Sequence, residues 1–242
     1  DSNCLRDLNR LMTTGNDRRI TNIIVAAGSG SRFGGDIPKQ FRLLAGRPVL
    51  IRCIEALRNA YPESACILVL SADAMDIWNQ LCRQFSFDSP TIVFGGATRW
   101  ASVRNALAAV DTQSPEDIIT VHDGARPLVS RQIIHDAVEA CRNHSGAIPA
   151  IEVTDSVRML TSDGSVALDR SMLRAVQTPQ AFVASRLMDA YHRPYQESFT
   201  DDASVMTAAG YTDIALTRGD PANIKITHPL DIEIAELYMR SI

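Results

Sequence analysis

The sequence predicts an α/β fold: a mostly parallel sheet flanked by helices, with a protruding β-arm. Three observations lead there. Short apolar runs alternate with amphipathic stretches through most of the chain. The apolar runs are continuous rather than alternating, which marks strands buried on both faces of a parallel sheet. The rhythm breaks once, between residues 156 and 168, where a polar hairpin pattern intervenes.

Taken in order, residues 1–20 are polar, with one short helical possibility, and read as a flexible leader. Residues 21–242 read as a single domain, without repeat, low-complexity segment or linker. I-I-V-A-A at 23–27 is a strand. Residues 48–58 carry apolar side chains at helical spacing behind Pro48, which favours a helix start. C-I-L-V-L at 66–70 is a buried strand, and 74–85 a helix. T-I-V-F at 91–94 is a strand that ends in Gly95 and Gly96, and a helix follows over 99–110. A strand at 117–121 precedes a helix at 130–142, with Ser130 as its N-cap. Residues 147–153 form another strand. Segments 156–160 and 165–168 make a hairpin around Gly164, the centre of an arm over about 154–172. Its few large apolar residues cannot be core on both faces, so the arm is expected to project and pair with another subunit. Helices at 185–192 and 201–209, strands at 214–217 and 223–227, and a helix at 229–240 complete the chain.

Composition narrows the function. The chain has 242 residues and a net charge of −4, which argues against a broad nucleic-acid-binding face. No apolar stretch approaches the roughly 20 residues that span a membrane, and the first residues lack the apolar core of a signal peptide. The five cysteines are scattered and form no C-x-x-C pair. They read as small buried hydrophobes in a reducing cytosol, so the expected location is cytoplasmic.

The glycine-rich stretch V-A-A-G-S-G-S-R-F-G-G, residues 25–35, holds the main chemical clue. Gly28 and Gly30 fit the first two glycines of a dinucleotide fingerprint, but Phe33 occupies the third position. Arg32 sits inside the turn. A guanidinium there suits a nucleoside triphosphate, which has more charge to neutralise than a dinucleotide. In open α/β sheets ligands bind beyond the carboxyl ends of the strands. Those ends carry Lys39 and Gln40, then Gly96, Arg99 and Ser102, then H-D-G-A-R-P at 122–127, then T-P-Q at 178–180. T-D-D-A-S at 200–204 opens a helix, and Lys225 lies in the last predicted strand. The cations Arg32, Lys39, Arg126, Arg170 and Lys225 would thus gather at one edge of an acidic protein. A polyanionic small molecule, above all a phosphate, fits such an edge. Taken singly, these residues have ordinary readings: Arg32 and Lys39 as solvated charges, Asp123, Thr178, Thr200 and Asp201 as caps, His122 as a packing residue. No G-x-x-x-x-G-K-[ST] loop, G-x-S-x-G elbow or histidine–thiolate metal spacing is present.

Taken together, these stretches resemble the 2-C-methyl-D-erythritol 4-phosphate cytidylyltransferase family. The resemblance rests on A-A-G-S-G-S-R at 26–32, P-K-Q at 38–40, and Gly95–Gly96 with Arg99 and Ser102. It continues with H-D-G-A-R-P, Asp169–Arg170, T-P-Q, T-D-D-A-S and N-I-K-I-T at 223–227, in order, over about 21–240. It implies a Rossmann-like homodimer whose β-arm reaches the partner, and transfer of CMP from CTP to methylerythritol phosphate with Mg2+ carried mainly by the CTP phosphates. By resemblance, the backbone of Ala26, Ala27, Gly28 and Gly30 holds CTP. Arg32 and Lys39 neutralise the triphosphate, and Gly96 and Ser102 read the cytosine. Asp123 and Gly124 meet the ribose and the metal-phosphate end. Arg126, Thr178, Thr200 and Lys225 line the acceptor pocket, and Arg170 enters the partner's site. The implied catalytic set is Arg32, Lys39, Arg170 and Lys225. Ala97 stands where some members have an acid, and Gly124 where many have alanine, a change that a backbone contact tolerates. A ribitol 5-phosphate cytidylyltransferase shares nearly every motif. A CTP-binding regulatory module without turnover is the reading from another class.

Overall fold

The computed structural model describes residues 18–28 and 37–241. Gly30, Arg32 and the expected leader up to residue 17 lie outside the described residues.

The strands, in chain order, are β1 (Ile20–Val25), β2 (Leu43–Leu44), β3 (Arg47–Pro48), β4 (Ala65–Leu70), β5 (Thr91–Phe94) and β6 (Ile118–Asp123). They continue with β7 (Gly146–Glu152), β8 (Arg158–Thr161), β9 (Gly164–Ala167), β10 (Arg174–Val176), β11 (Gln180–Val183) and β12 (Ile214–Arg218). The helices are α1 (Val49–Ala60), α2 (Met75–Gln84), α3 (Arg99–Leu107), α4 (Arg131–Ala140), α5 (Ala184–Tyr191), α6 (Asp202–Ala208) and α7 (Leu230–Ser241).

Eight strands form one sheet in the order β10-β7-β11-β6-β1-β4-β5, with β12 also on β7. The β6-β1-β4-β5 half is parallel throughout. Consecutive residues of β1 serve opposite faces. Ile23 packs with Trp100, Val103 and Leu187 beneath α3 and α5, and Ile24 packs with Leu50, Ile54 and Trp78 beneath α1 and α2. Both isoleucines are fully buried, which is why the strand reads as a continuous apolar run. Ser130 caps α4 as expected, its Oγ accepting from the Ile133 N–H at 3.3 Å. No helix among the described residues is long and apolar enough to cross a membrane.

Two features depart from the sequence reading. First, β11 runs antiparallel between β6 and β7. At four residues it is too short to show a period, yet its register puts Gln180 beside Val121, near the carboxyl end of β6. Second, residues 223–227, expected as a strand carrying Lys225, form no strand. Their backbone groups go elsewhere. Asn223 O accepts from Arg126 Nη1 at 2.7 Å, Ile226 N–H donates to Ala125 O at 2.8 Å, and Thr227 N–H donates to Asp231 at 2.6 Å. Ile226 is still fully buried, anchored under α7 with Leu44, Val49 and Cys53. The arm hairpin is as expected: β8 and β9 form a separate two-stranded antiparallel sheet, and Met159, Leu160 and Val166 on it are exposed.

Candidate active site

The strand order reverses beside β1, whose neighbours β4 and β6 lead away in opposite directions. Beyond the carboxyl ends of β1 and β6, at this switch point, lies a cleft of about 590 Å³. Its lining comes from four places: Val25–Gly28 after β1, Lys39 and Gln40, Gly96–Arg99 with Ser102, and Asp123–Ala125 with Lys225 and Thr227. Sequence-predicted residues Ala26, Ala27, Gly28, Lys39, Gly96, Ser102, Asp123, Gly124 and Lys225 thus share one cavity. Arg126, Thr178, Thr200 and Arg170 do not line it.

Local packing fixes the walls. Gln40 is buried, and its Nε2 donates to Ala26 O at 2.9 Å, tying the turn that Lys39 opens to the end of β1. Gly96 N–H donates to Ser102 Oγ at 3.1 Å, so Ser102 holds the loop and keeps its hydroxyl proton for another acceptor. Among the described residues, a Cβ at Gly28 would meet nothing within 4 Å. Gly124 differs. A Cβ there would lie 2.9 Å from both Ala26 Cβ and Leu50 Cδ1, so in this chain the glycine permits close approach of β6 to β1.

Asp123 is the centre of the charge pattern. Lys225 Nζ lies 2.9 Å from its Oδ2, Arg126 Nε 3.5 Å from Oδ2, and Arg99 Nε 3.8 Å from Oδ1. Burial opposes ionisation of this carboxyl, but Arg99, Lys225 and Arg126 override it and hold it well below the usual carboxylate range. Arg126 is pinned by Asn223 O, and its buried Nε sits at ion-pair distance from Asp123 without hydrogen-bond geometry. Burial depresses its pKa.

Behind Asp123 runs a buried chain of hydrogen bonds. The Asp123 backbone N–H donates to Thr178 Oγ1 at 3.0 Å, and Thr178 Oγ1 lies 3.0 Å from His122 Nδ1. His122 Nε2 lies 3.0 Å from Arg126 O, which can only accept. The proton is therefore on Nε2, and Thr178 donates its hydroxyl to Nδ1. Burial pushes the His122 pKa down to about 4, so the ring is neutral at neutral pH. Thr178, expected to touch a substrate, here supports the Asp123 backbone.

Sequence reasoning left out Asp202. This fully buried carboxylate accepts from Arg99 Nη2 at 2.7 Å and from the Tyr191 hydroxyl at 2.6 Å. Burial opposes the Arg99 charge, but Asp202 and Asp123 outweigh it and raise the guanidinium pKa. The signal was present as two successive acids at a helix start. Asp201 caps α6 in a capping box with Ser204, leaving Asp202 to face inward. Thr200, just before the cap, is exposed. Arg170 is also exposed and donates to Thr154 O at the base of the arm.

A magnesium ion fits this donor set only as the companion of a phosphate ligand. Among the described residues, Asp123 is the one carboxylate that lines the cleft, and there is no group of three or more potential ligands. Mg2+ commonly binds through one or two carboxylates plus substrate phosphates.

The model of the family described as IspD, 2-C-methyl-D-erythritol 4-phosphate cytidylyltransferase, matches residues 20–241. A protein of that name from Phocaeicola vulgatus is 44% identical over 218 residues, covering 90% of this chain and 98% of its own. Another from Porphyromonas gingivalis is 43% identical over 221 residues, covering 90% and 97%. Among solved structures, the 4-diphosphocytidyl-2C-methyl-D-erythritol synthase of Anaerococcus prevotii superposes with a TM-score of 0.77 at 28% identity, over 92% of this chain and 99% of that one. The cytidylyltransferase of Thermus thermophilus gives a TM-score of 0.71 at 30% identity, over 92% and 99%. With a match from the first residue of β1 to the last of α7, this chain belongs to the 2-C-methyl-D-erythritol 4-phosphate cytidylyltransferase family.

Proposed function

We propose that this chain transfers CMP from CTP to 2-C-methyl-D-erythritol 4-phosphate, giving 4-diphosphocytidyl-2-C-methyl-D-erythritol and pyrophosphate. The observation that carries the reading is the cleft at the switch point, where Lys39, Arg99 and Lys225 converge on one crevice beside the backbone of Ala26–Gly28. Near-full-length relatives named for this activity supply the substrates.

In the proposed reaction, an oxygen of the acceptor phosphate attacks the α-phosphorus of CTP. The bond from that phosphorus to the bridging oxygen breaks, and pyrophosphate leaves with the electron pair. The acceptor is already anionic near neutral pH, so no strong general base is required. The neutral His122, engaged at both ring nitrogens, is consistent with that. The barrier is repulsion between anions and charge build-up on the leaving group, which positioned cations relieve. Ala26, Ala27, Gly28 and Gly30 hold the nucleotide through their backbone, and Gly96 and Ser102 meet the cytosine. Arg32, Lys39 and Lys225 neutralise the triphosphate, and Asp123 with Gly124 meets the ribose. Arg126 and Thr200 serve the acceptor side, and Thr178 supports it through the Asp123 backbone. Asp123 together with the CTP phosphates would hold Mg2+, which supplies charge neutralisation when bound.

The same proposal makes residues 21–242 one catalytic unit and the protein a homodimer. Exposed Met159, Leu160, Val166 and Met172 give the arm an apolar surface that a second copy would cover. Arg170, near its base, would enter the partner's site. A cytoplasmic location is supported by the free thiols of Cys53, Cys66, Cys82 and Cys141.

The test is pyrophosphate release from CTP and Mg2+, with methylerythritol phosphate and ribitol 5-phosphate offered separately. Release with methylerythritol phosphate alone is expected. Release with ribitol 5-phosphate alone would move the protein to another acceptor. CTP binding without release from either would make it a regulatory module.

A further inference from the structure

Arg99 lines the cleft and is anchored from the core side by Asp202 and Tyr191, two groups with no part in the reaction described above. Asp202 Oδ2 accepts from Arg99 Nη2 at 2.7 Å, and Asp202 Oδ1 accepts from the Tyr191 hydroxyl at 2.6 Å. The backbone N–H groups of Asp202 and Ala203 both donate to Gln180 Oε1 at 3.1 Å. Gln180 therefore fixes the backbone, Tyr191 fixes one carboxylate oxygen, and the other oxygen is aimed at Arg99. The Tyr191 ring also stacks on Trp100, the residue after Arg99, at 5.8 Å between centroids. Asp202 has no solvent exposure, so swinging away would strand a buried charge. A surface ion pair has no such constraint.

We propose that Asp202, clamped by Tyr191, is a positioning residue for the nucleotide. It holds the Arg99 guanidinium in the cleft wall beside Gly96 and Ser102, so that bound CTP meets a preorganised cation. The inference rests on the CTP reading. Released from Asp202, Arg99 would have Asp123, already 3.8 Å from its Nε, as the nearest anion, and would compete there with Lys225. The loss should then fall on CTP rather than on the acceptor.

The experiment is a double-mutant cycle on the full chain, with Asp202→Asn, Arg99→Gln and both together. Titration calorimetry with CTP and Mg2+ gives Kd, and steady-state assays give KM for each substrate. Loss of a charge-assisted hydrogen bond predicts that Asp202→Asn weakens CTP binding about tenfold or more. The KM for methylerythritol phosphate should stay within about twofold on the same scale. In the Arg99→Gln background, Asp202→Asn should cost no further CTP affinity. An equal loss in both backgrounds, or both KM values rising together, overturns the inference. If Asp202→Asn does not fold, Tyr191→Phe carries the test. It should weaken CTP binding about threefold, again only when Arg99 is present. No effect, or an effect that persists without Arg99, refutes it. A wild-type protein that fails to bind CTP refutes the functional reading instead.

Discussion

Protonating His122 should destabilise the fold at a pH where nearly everything else is unchanged. The ring is fully buried, and its two nitrogens are matched to one donor and one acceptor, an arrangement possible only for the neutral form. Burial lowers its pKa from 6.5 to about 4. In the unfolded chain the ring charges near the ordinary value, so between the two values the unfolded state binds more protons. Stability is therefore complete above 6.5 and falls as pH drops toward 4. Linkage puts the full loss at about 3 kcal/mol, of which about 2 kcal/mol is lost by ~pH 5. Ordinary carboxylates remain ionised down to about pH 5, so the window excludes them, and comparison with a His122 variant excludes the other four histidines. Urea melts at ~pH 7.5 and ~pH 5 should differ by about 2 kcal/mol in the wild type and by much less in His122→Gln. The glutamine offers one donor and one acceptor and takes no proton. NMR of the histidine ring carbons gives the direct check. A His122 midpoint at or above 6.5 would refute the reasoning, and so would parallel pH dependences in the two proteins.

Four further outcomes follow from the site and its supports. Lys225→Met and Lys39→Met should each lower kcat/KM by about a hundredfold or more with the fold intact by circular dichroism, the scale on which a preorganised donor is lost. An effect under about threefold would remove those residues from the catalytic set. Gly124→Ala should destabilise by about 1–3 kcal/mol, because the new Cβ overlaps Ala26 and Leu50; thermal melting decides it, and an unchanged Tm would mean that β1 yields. Leu160→Asp on the arm should shift a dimer toward monomer in sedimentation, and mixing Arg170→Ala with a Lys39→Met partner should restore activity at one of the two sites.

The parallel half of the fold was legible because its strands are buried on both faces. The Ile118–Asp123 strand is buried along its whole length, and its apolar run marks it in the sequence. The antiparallel insertions were not legible. β10 and β11 have three and four residues, and what makes Gln180–Val183 a strand is the room between β6 and β7, a tertiary fact. N-I-K-I-T alternates like a strand, yet its backbone groups bond to Arg126, Ala125 and Asp231 instead of a ladder. At the site, residues on the ends of β1 and β6 could be placed because strand ends converge. Thr178 could be flagged from its motif but not assigned its partner, since only the β11 register brings it under Asp123. Asp202 was hidden by its neighbour. One of two adjacent acids at a helix start serves as the cap, and the sequence does not say that the other turns inward to an arginine 103 residues away.

Carboxylates in a site that must attract phosphates look counterproductive until the cations are considered together. Arg99, Arg126 and Lys225 all approach Asp123 within 3.8 Å. Three positive side chains crowded without an anion would repel one another, lose hydration and splay toward solvent. Asp123 holds three in place and Asp202 holds Arg99 a second time, so two carboxylates fix three cations. With Lys39, the cluster keeps an excess of positive charge at the mouth of a chain whose net charge is −4. A site that works by electrostatic stabilisation gains from cations that are fixed before the substrate arrives, because reorganisation then costs nothing at the moment of transfer. On this view Asp123 and Asp202 differ in one testable respect. Asp123 faces the cleft, so replacing it should change metal-dependent turnover. Asp202 faces the core, so replacing it should change how tightly the nucleotide is held and leave the metal dependence as it was.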